Sequence, residues 1–271
     1  MKAIIKIHSI ALASVSLVLF LILVSSTASA SITETRITTN TADQTHPSVW
    51  SNYIVWQDAR NGGSDIYLQN MATKVQTRIT KGVNAENPYV SGNRIVWDDN
   101  RNGNSDIYMY EISTKKTTRI TLNTADQTDP AVYGNYIVWT DTRNGRNDIY
   151  LQNLANKVQT RITSGIDAFE PAIYGNKIVY LTGPEQIMMY DITTKKTIQV
   201  GGGIPDSLSI YGNRILYNDE FTGQYTVLLD FTTGKGITLP FSYVSNPSMY
   251  SNKIVYDSSI NGNSDIYMVQ I

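Results

Sequence analysis

The stretch Trp97-Asp98-Asp99-Asn100-Arg101-Asn102-Gly103-Asn104-Ser105-Asp106-Ile107-Tyr108 decides the fold, because it recurs. It returns as Trp139-Thr140-Asp141-Thr142-Arg143-Asn144-Gly145-Arg146-Asn147-Asp148-Ile149-Tyr150, and a third copy runs from Trp56 to Tyr67. Self-similarity at a fixed period is the first property to test in any chain. Working outward, the phrase Asn-x-Ile-Val-Trp/Tyr occurs six times, beginning at Asn52, Asn93, Asn135, Asn176, Asn213 and Asn252, with Leu216 replacing Val in the fifth. The copies lie 41, 42, 41, 37 and 39 residues apart. A proline stands five residues before the Asn in five of them, at Pro47, Pro88, Pro130, Pro171 and Pro247, and Leu208 takes that place in the fifth unit.

Each unit reads as four short strands. Val49-Trp50 belongs to the first, and Ser51-Asn52 or Gly92-Asn93 makes a tight turn. Tyr53 to Gln57, rich in β-branched and aromatic residues, forms the second. Arg60-Asn61-Gly62 is a loop, since Asn-Gly accepts positive φ. Asp65 to Asn70 makes the third strand, and Ala72-Thr73-Lys74 turns into the fourth, Val75 to Thr80. No stretch carries helical periodicity. A period near 40 with four strands per unit predicts an all-β, six-bladed β-propeller of antiparallel blades.

The ends sharpen this. Arg-Ile-Thr closes units at Arg78, Arg119 and Arg161, yet Arg36-Ile37-Thr38 has no unit before it. The chain stops at Ile271, just after a third strand, Asp265 to Gln270. Residues 32–39 are therefore expected to complete the sixth blade and close the ring, leaving no terminal sheet edge unpaired.

Residues 1–30 are read separately as a secretory signal. Lys2 and Lys6 precede an apolar run from Ile10 to Val24, followed by Ala28-Ser29-Ala30. A run of about 15 residues is short for a span, which needs about 20. An uncleaved membrane anchor is the alternative. The propeller is expected at 31–271, secreted or in the extracytoplasmic envelope, with no membrane span after signal removal. Without residues 1–30 the chain has 20 basic and 23 acidic residues, a sum that predicts no cationic footprint for nucleic acid. The absence of cysteine excludes disulfides and thiol chemistry.

The stretch from Trp97 to Tyr108 resembles the propeller repeat of TolB-type proteins, most closely versions repeated in surface proteins of methanogenic archaea. The likeness covers residues 32–271 and is strongest in the first three blades. It implies a six-bladed propeller with a protein-binding or envelope role. TolB itself carries a further N-terminal α/β domain that has no counterpart here, so its partnership with an outer-membrane lipoprotein is not carried over. Oligogalacturonate lyases and prolyl-oligopeptidase-type enzymes have similar propellers, but their chemistry lacks its residues. After the signal, His46 is the single histidine, no Gly-x-Ser-x-Gly elbow occurs, and Gly201-Gly202-Gly203 reads as a loop. No catalytic residue is assigned, and the chain is read as a non-catalytic binding module for protein or surface glycan. A structural cell-surface constituent is the runner-up, and a hydrolase or lyase is third.

Two sets of residues are candidates for ligand binding. His46, Asn87, Asp129, Glu170, Ser207 and Asn246 precede the first-strand prolines and are expected to ring one mouth of the central channel. They differ from blade to blade, as an asymmetric ligand requires. Asp129, Glu170 and Asn87 offer oxygens that could suit Ca²⁺, although no cofactor or metal ligand is assigned. The competing reading is a hydrated polar rim. The second set lies on the loop face: Asp58 with Arg60, Asp99 with Arg101, and Asp141 with Arg143. These could contact a partner, or could hold the loop by bonding its amides and pairing Arg with acid. Loss of this loop in blades four and five would bias docking toward blades one to three. Substituting Asp58, Asp99 and Asp141 is then expected to weaken capture more than substituting Glu185, Asp219 and Glu220. The set Trp56, Trp97, Trp139, Tyr180, Tyr217 and Tyr256 is expected to pack between blades, with Trp50, Tyr133, Tyr174, Tyr211 and Tyr250 near the axis.

Overall fold

The computed structural model describes residues 33–183, 186–203, 205–219, 225–241 and 243–271. The signal reading of residues 1–30 falls outside them, as do Ile32, Glu185 and Glu220. The described residues form six four-stranded antiparallel sheets. Blade one consists of Gln44–Trp50, Tyr53–Asp58, Asp65–Asn70 and Gln76–Arg78, in that spatial order. First strands touch in the cyclic order of the sequence, and blade one's meets blade six's, so the sheets close into a ring. Among the described residues no helix is long and apolar enough to cross a membrane.

The sixth sheet contains Ser245–Tyr250, Lys253–Ser258 and Asp265–Gln270, with Glu34–Arg36 as its outer strand. The register pairs Glu34 with Val269 and Arg36 with Tyr267. The strand is shorter than 32–39, but Ile37 continues the attachment by donating its amide to the Ile266 carbonyl at 2.7 Å.

Packing follows from the repeat. The Ile-Val pair of each second strand points its two side chains into opposite faces of the sheet. Val55 meets Ile95 and Trp97 of the next blade, while Ile54 and Trp56 meet Val255 and Ile266 of the previous one. All are fully buried, and each aliphatic side chain so buried contributes about 1.5–3 kcal/mol. Trp56, Trp97 and Trp139 have no exposed surface, and Tyr180, Tyr217 and Tyr256 are also buried, as their period implied.

The first-strand prolines mark a β-bulge. In blade one the register jumps between Thr45 and Ser48, leaving His46 and Pro47 outside the ladder. Proline has no N–H to give, so a bulge is where a strand tolerates it. The residue before it takes a left-handed conformation, with φ of 50° at His46 and Asn87, 52° at Asp129, 50° at Glu170 and 49° at Asn246. In blade five, which lacks the proline, the ladder resumes one residue earlier, at Leu208.

Candidate functional site

Because each first strand runs from its bulge to the turn at its far end, the six bulges gather at one end of the axis. There His46, Asn87, Asp129, Glu170, Ser207 and Asn246 line a single cavity of about 170 Å³. Its floor is formed by all five bulge prolines together with Tyr89, Leu208 and the serines Ser48, Ser209 and Ser248. The structure thus brings all six predicted mouth residues together. No Lys or Arg lines the cavity.

The mouth is held by a second layer of polar side chains. Asp98, Thr140 and Asp257 occupy the position after the aromatic residue of the second strand, and each is nearly inaccessible. Each accepts the amide N–H of the mouth residue on the following blade. Asp129 donates to Asp98 at 3.2 Å, Glu170 to Thr140 at 3.2 Å, and His46 to Asp257 at 3.0 Å. The last of these bonds crosses the ring closure. Asn87 Nδ2 bridges Asp98 and Asp129, at 3.1 Å from each, and Asn246 Nδ2 donates to Asp257 at 2.9 Å. Ser105 and Ser264 donate to the second oxygens of Asp98 and Asp257.

Burial dominates the electrostatics here. It pushes the Asp98 carboxyl up to about 8, with the neighbouring Asp129 charge adding to the rise and the bonds from Asn87, Asp129 and Ser105 opposing it. Burial likewise raises Asp257 to about 6 and raises Asp129. Burial lowers His46, so the imidazole is neutral at pH 7, and its Nδ1 is buried without a protein partner. Beside the mouth, Glu86, Asp98, Asp99, Asp126 and Asp129 line a second cavity, of about 490 Å³, between blades two and three. Among the described residues no three His, Cys, Asp or Glu side chains are grouped to hold a metal ion.

The other end of the axis is aromatic. Trp50, Tyr133, Tyr174, Tyr211 and Tyr250 form a closed collar with ring centroids 4.6–5.9 Å apart. Blade two contributes Ser91 at this place, and the larger Trp50 reaches across the gap to Tyr133. The collar narrows the channel opposite the mouth.

The loop-face set has a different geometry from the mouth. Asp58 has no exposed surface. Its Oδ2 accepts from Trp56 Nε1 at 2.8 Å and from the Arg60 guanidinium at 2.6 Å, while Oδ1 takes the Arg60 amide and Nε. Asp99 with Arg101 and Asp141 with Arg143 repeat this pattern. Each guanidinium lies 4.2–4.4 Å from the centroid of Tyr67, Tyr108 or Tyr150. The carboxylates are therefore engaged inside the blade, and only part of each Arg is offered to solvent.

A six-fold ring with an acidic mouth at one end and an aromatic collar at the other defines a six-bladed β-propeller with an asymmetric axial pocket. The family model of the TolB beta propeller domain matches residues 46–236, and the chain belongs to that family. Among solved structures it is similar to TolB from Acinetobacter baumannii, at 20% identity and a TM-score of 0.65, covering 78% of this chain and 58% of that one. This chain therefore spans less than two thirds of that TolB. It is also similar to a putative TolB from Agrobacterium tumefaciens (16% identity, TM-score 0.65, covering 87% and 92%). An oligogalacturonate lyase in complex with manganese shares the architecture at 12% identity and a TM-score of 0.58, covering 90% and 94%. At these identities the likenesses show the fold alone. No curated protein matches the chain.

Proposed function

We propose that this propeller is a non-catalytic interaction module of the cell envelope that captures a protein, or a glycan of the cell surface, at its acidic mouth. One observation carries the reading. Six polar side chains, one per blade and of five residue types, converge on one cavity that holds Asp129 and Glu170 and no Lys or Arg. A structural ring needs no such variation, whereas an asymmetric ligand does. Membership of the TolB propeller family supports an interaction role and an extracytoplasmic location. The resemblance to repeats of archaeal surface proteins agrees with both.

The mouth is built for polar recognition. Bulge geometry fixes the backbone of each mouth residue, and the bonds to Asp98, Thr140 and Asp257 hold that backbone against the neighbouring blade. Preorganisation of this kind limits the ordering cost on binding. Acidic side chains in a concave, partly desolvated setting favour a ligand bearing a cationic or hydrogen-donating group.

Capture from envelope extracts tests this with two proteins: residues 31–271, and the same segment carrying Asp129→Asn and Glu170→Gln. A species retained by the first and lost from the second is expected, with the second melting no lower than the first. Retention of the same species by both would overturn the mouth as the binding site. Turnover of a polymeric substrate, abolished by the same pair of substitutions, would replace the binding role with a catalytic one.

A further inference from the structure

The summed charge of the chain conceals a sidedness that the fold creates. Second strands begin, and third strands end, at the face opposite the mouth, so the turns between first and second strands and between third and fourth strands all emerge there. Those outer turns carry Lys74, Lys115, Lys157 and Lys195, followed by Lys116, Lys196 and Lys235. All seven are exposed, and none joins an ion pair among the described residues. Inside them, Arg94, Arg214 and Lys253 encircle the aromatic collar and donate to the carbonyls of Gly134, Ser251 and Ser51 on the next blade. Lys177, the fourth of that ring, pairs with Asp191. The acids at this face are Glu34, Glu111, Asp191 and Asp230. Asp191 and Asp230 are taken up by their own turns, Glu34 by Tyr256 and Glu111 by Thr114.

Four of the lysines occupy left-handed positions, with φ of 60° at Lys74, 56° at Lys115, 61° at Lys157 and 57° at Lys195. Glycine is the easier residue there, and blade five uses it at Gly234 while placing its lysine next, at Lys235. The turn geometry alone does not call for lysine.

We propose that this basic face is a docking surface for an anionic lipid bilayer. Its cations stand on turn tips spread round the ring, while both cavities lie on the mouth side, so the face fits an extended surface better than an inserted ligand. Lysines and arginines surrounding a patch of Trp and Tyr are the side chains that favour a headgroup layer. The outer strand of blade six also starts here, with Glu34 paired near the end of Asp265–Gln270, and Ile271 bonds Asn252 in a turn of the same face. Glu34 and Ile271 therefore both lie on the basic side of the domain. Docked in this way, the domain turns its acidic mouth away from the lipid.

Residues 31–271, whose ring is closed entirely by their own strands, provide the test by cosedimentation with vesicles. Binding to phosphatidylcholine vesicles containing about one third phosphatidylglycerol is expected to be at least about tenfold tighter than to phosphatidylcholine alone, and to vanish near about 0.5 M salt. A variant carrying Lys74→Gly, Lys115→Gly, Lys157→Gly and Lys195→Gly keeps turn-compatible residues while removing four charges. It is expected to lose at least about tenfold in anionic-vesicle binding without melting lower. Equal binding to neutral vesicles, or undiminished binding by the variant, would overturn the proposal. So would tighter binding to an immobilised acidic polysaccharide at the same salt, or concentration-dependent self-association that the variant abolishes.

Discussion

Arg36 and Asp265, 229 positions apart in sequence, form the ion pair that joins Arg78 to Asp65, Arg119 to Asp106 and Arg161 to Asp148 inside single blades. Thr38 reproduces the accompanying bond, accepting the Ile266 amide at 2.8 Å as Thr80 accepts that of Ile66. Ring closure thus reuses the contact set that holds the fourth strand of an ordinary blade. Asp265 has no exposed surface, so removing its partner leaves a buried carboxylate uncompensated, whereas Arg36 is partly exposed and its share is screened. Arg36→Ala is expected to lower stability by about 2 kcal/mol and Thr38→Ala by about 1 kcal/mol in denaturant melts. Wild-type stability in both would place the closure elsewhere.

The Asp98 carboxyl makes stability depend on pH in a direction opposite to most acids. Its folded value lies near 8, above the unfolded value of about 4, so between those limits the native state holds a proton that the unfolded state has lost. Stability from this group is therefore present at acid pH, declines as pH rises from about 4 to about 8, and is flat beyond. The groups facing it are Glu86, Asn87, Asp99, Ser105 and Asp129, none of them cationic. Asp98→Asn keeps an acceptor for Asn87 and for the Asp129 amide. It is expected to raise the melting temperature at pH 8 by several degrees and leave it unchanged near pH 4. His46 works in the opposite sense, losing stability as pH falls below its ordinary value, but this contribution is common to both proteins. A uniform shift at every pH would refute the assignment.

Loop-face substitutions should act on the fold before they act on any partner. Asp58→Ala leaves the buried Trp56 N–H and the stacked Arg60 guanidinium without an acceptor, at an expected cost of about 3 kcal/mol. Calorimetry of this variant beside Arg60→Gln separates the two roles. Arg60 is partly exposed, and its loss should cost about 1 kcal/mol. Equal stability of Asp58→Ala and wild type would return the carboxylate to the list of binding groups.

Calcium gives a simple discriminating measurement. No three His, Cys, Asp or Glu side chains are grouped to hold a metal ion among the described residues, and Asp129 already accepts from Asn87 and Thr128. Thermal unfolding with Ca²⁺ and with EDTA is expected to give the same midpoint. A rise of several degrees with Ca²⁺ would place a cation among the mouth oxygens.

Periodicity made most of the fold legible. Six copies of Asn-x-Ile-Val-Trp/Tyr fix the blades, and the stray Arg36-Ile37-Thr38 shows where the ring closes, because the same residue types must satisfy the same third-strand Asp. The mouth residues were also readable, since one position before a repeated proline maps to one place in every blade. The layer beneath was not. Asp98 and Asp257 sit inside apolar second strands, and their signal was a polar residue breaking each strand at the place filled by Gln57, Thr140, Leu181 and Asn218 in the other blades. Sidedness was missed for a different reason. Net charge sums over the chain, whereas strand direction gathers the lysines of the outer turns on one face, so a near-neutral total carries no information on how the charges are distributed.

The most direct test of the acidic mouth as the binding site is site-specific photocrosslinking in envelope extracts. A crosslinking residue at Ser207 or Asn246 probes the mouth, and one at Asn61 or Asn144 probes the loop face. A common adduct is expected from both mouth positions, diminished by Asp129→Asn with Glu170→Gln, and none from the loop positions. Adducts confined to Asn61 and Asn144, unaffected by that double substitution, would contradict it.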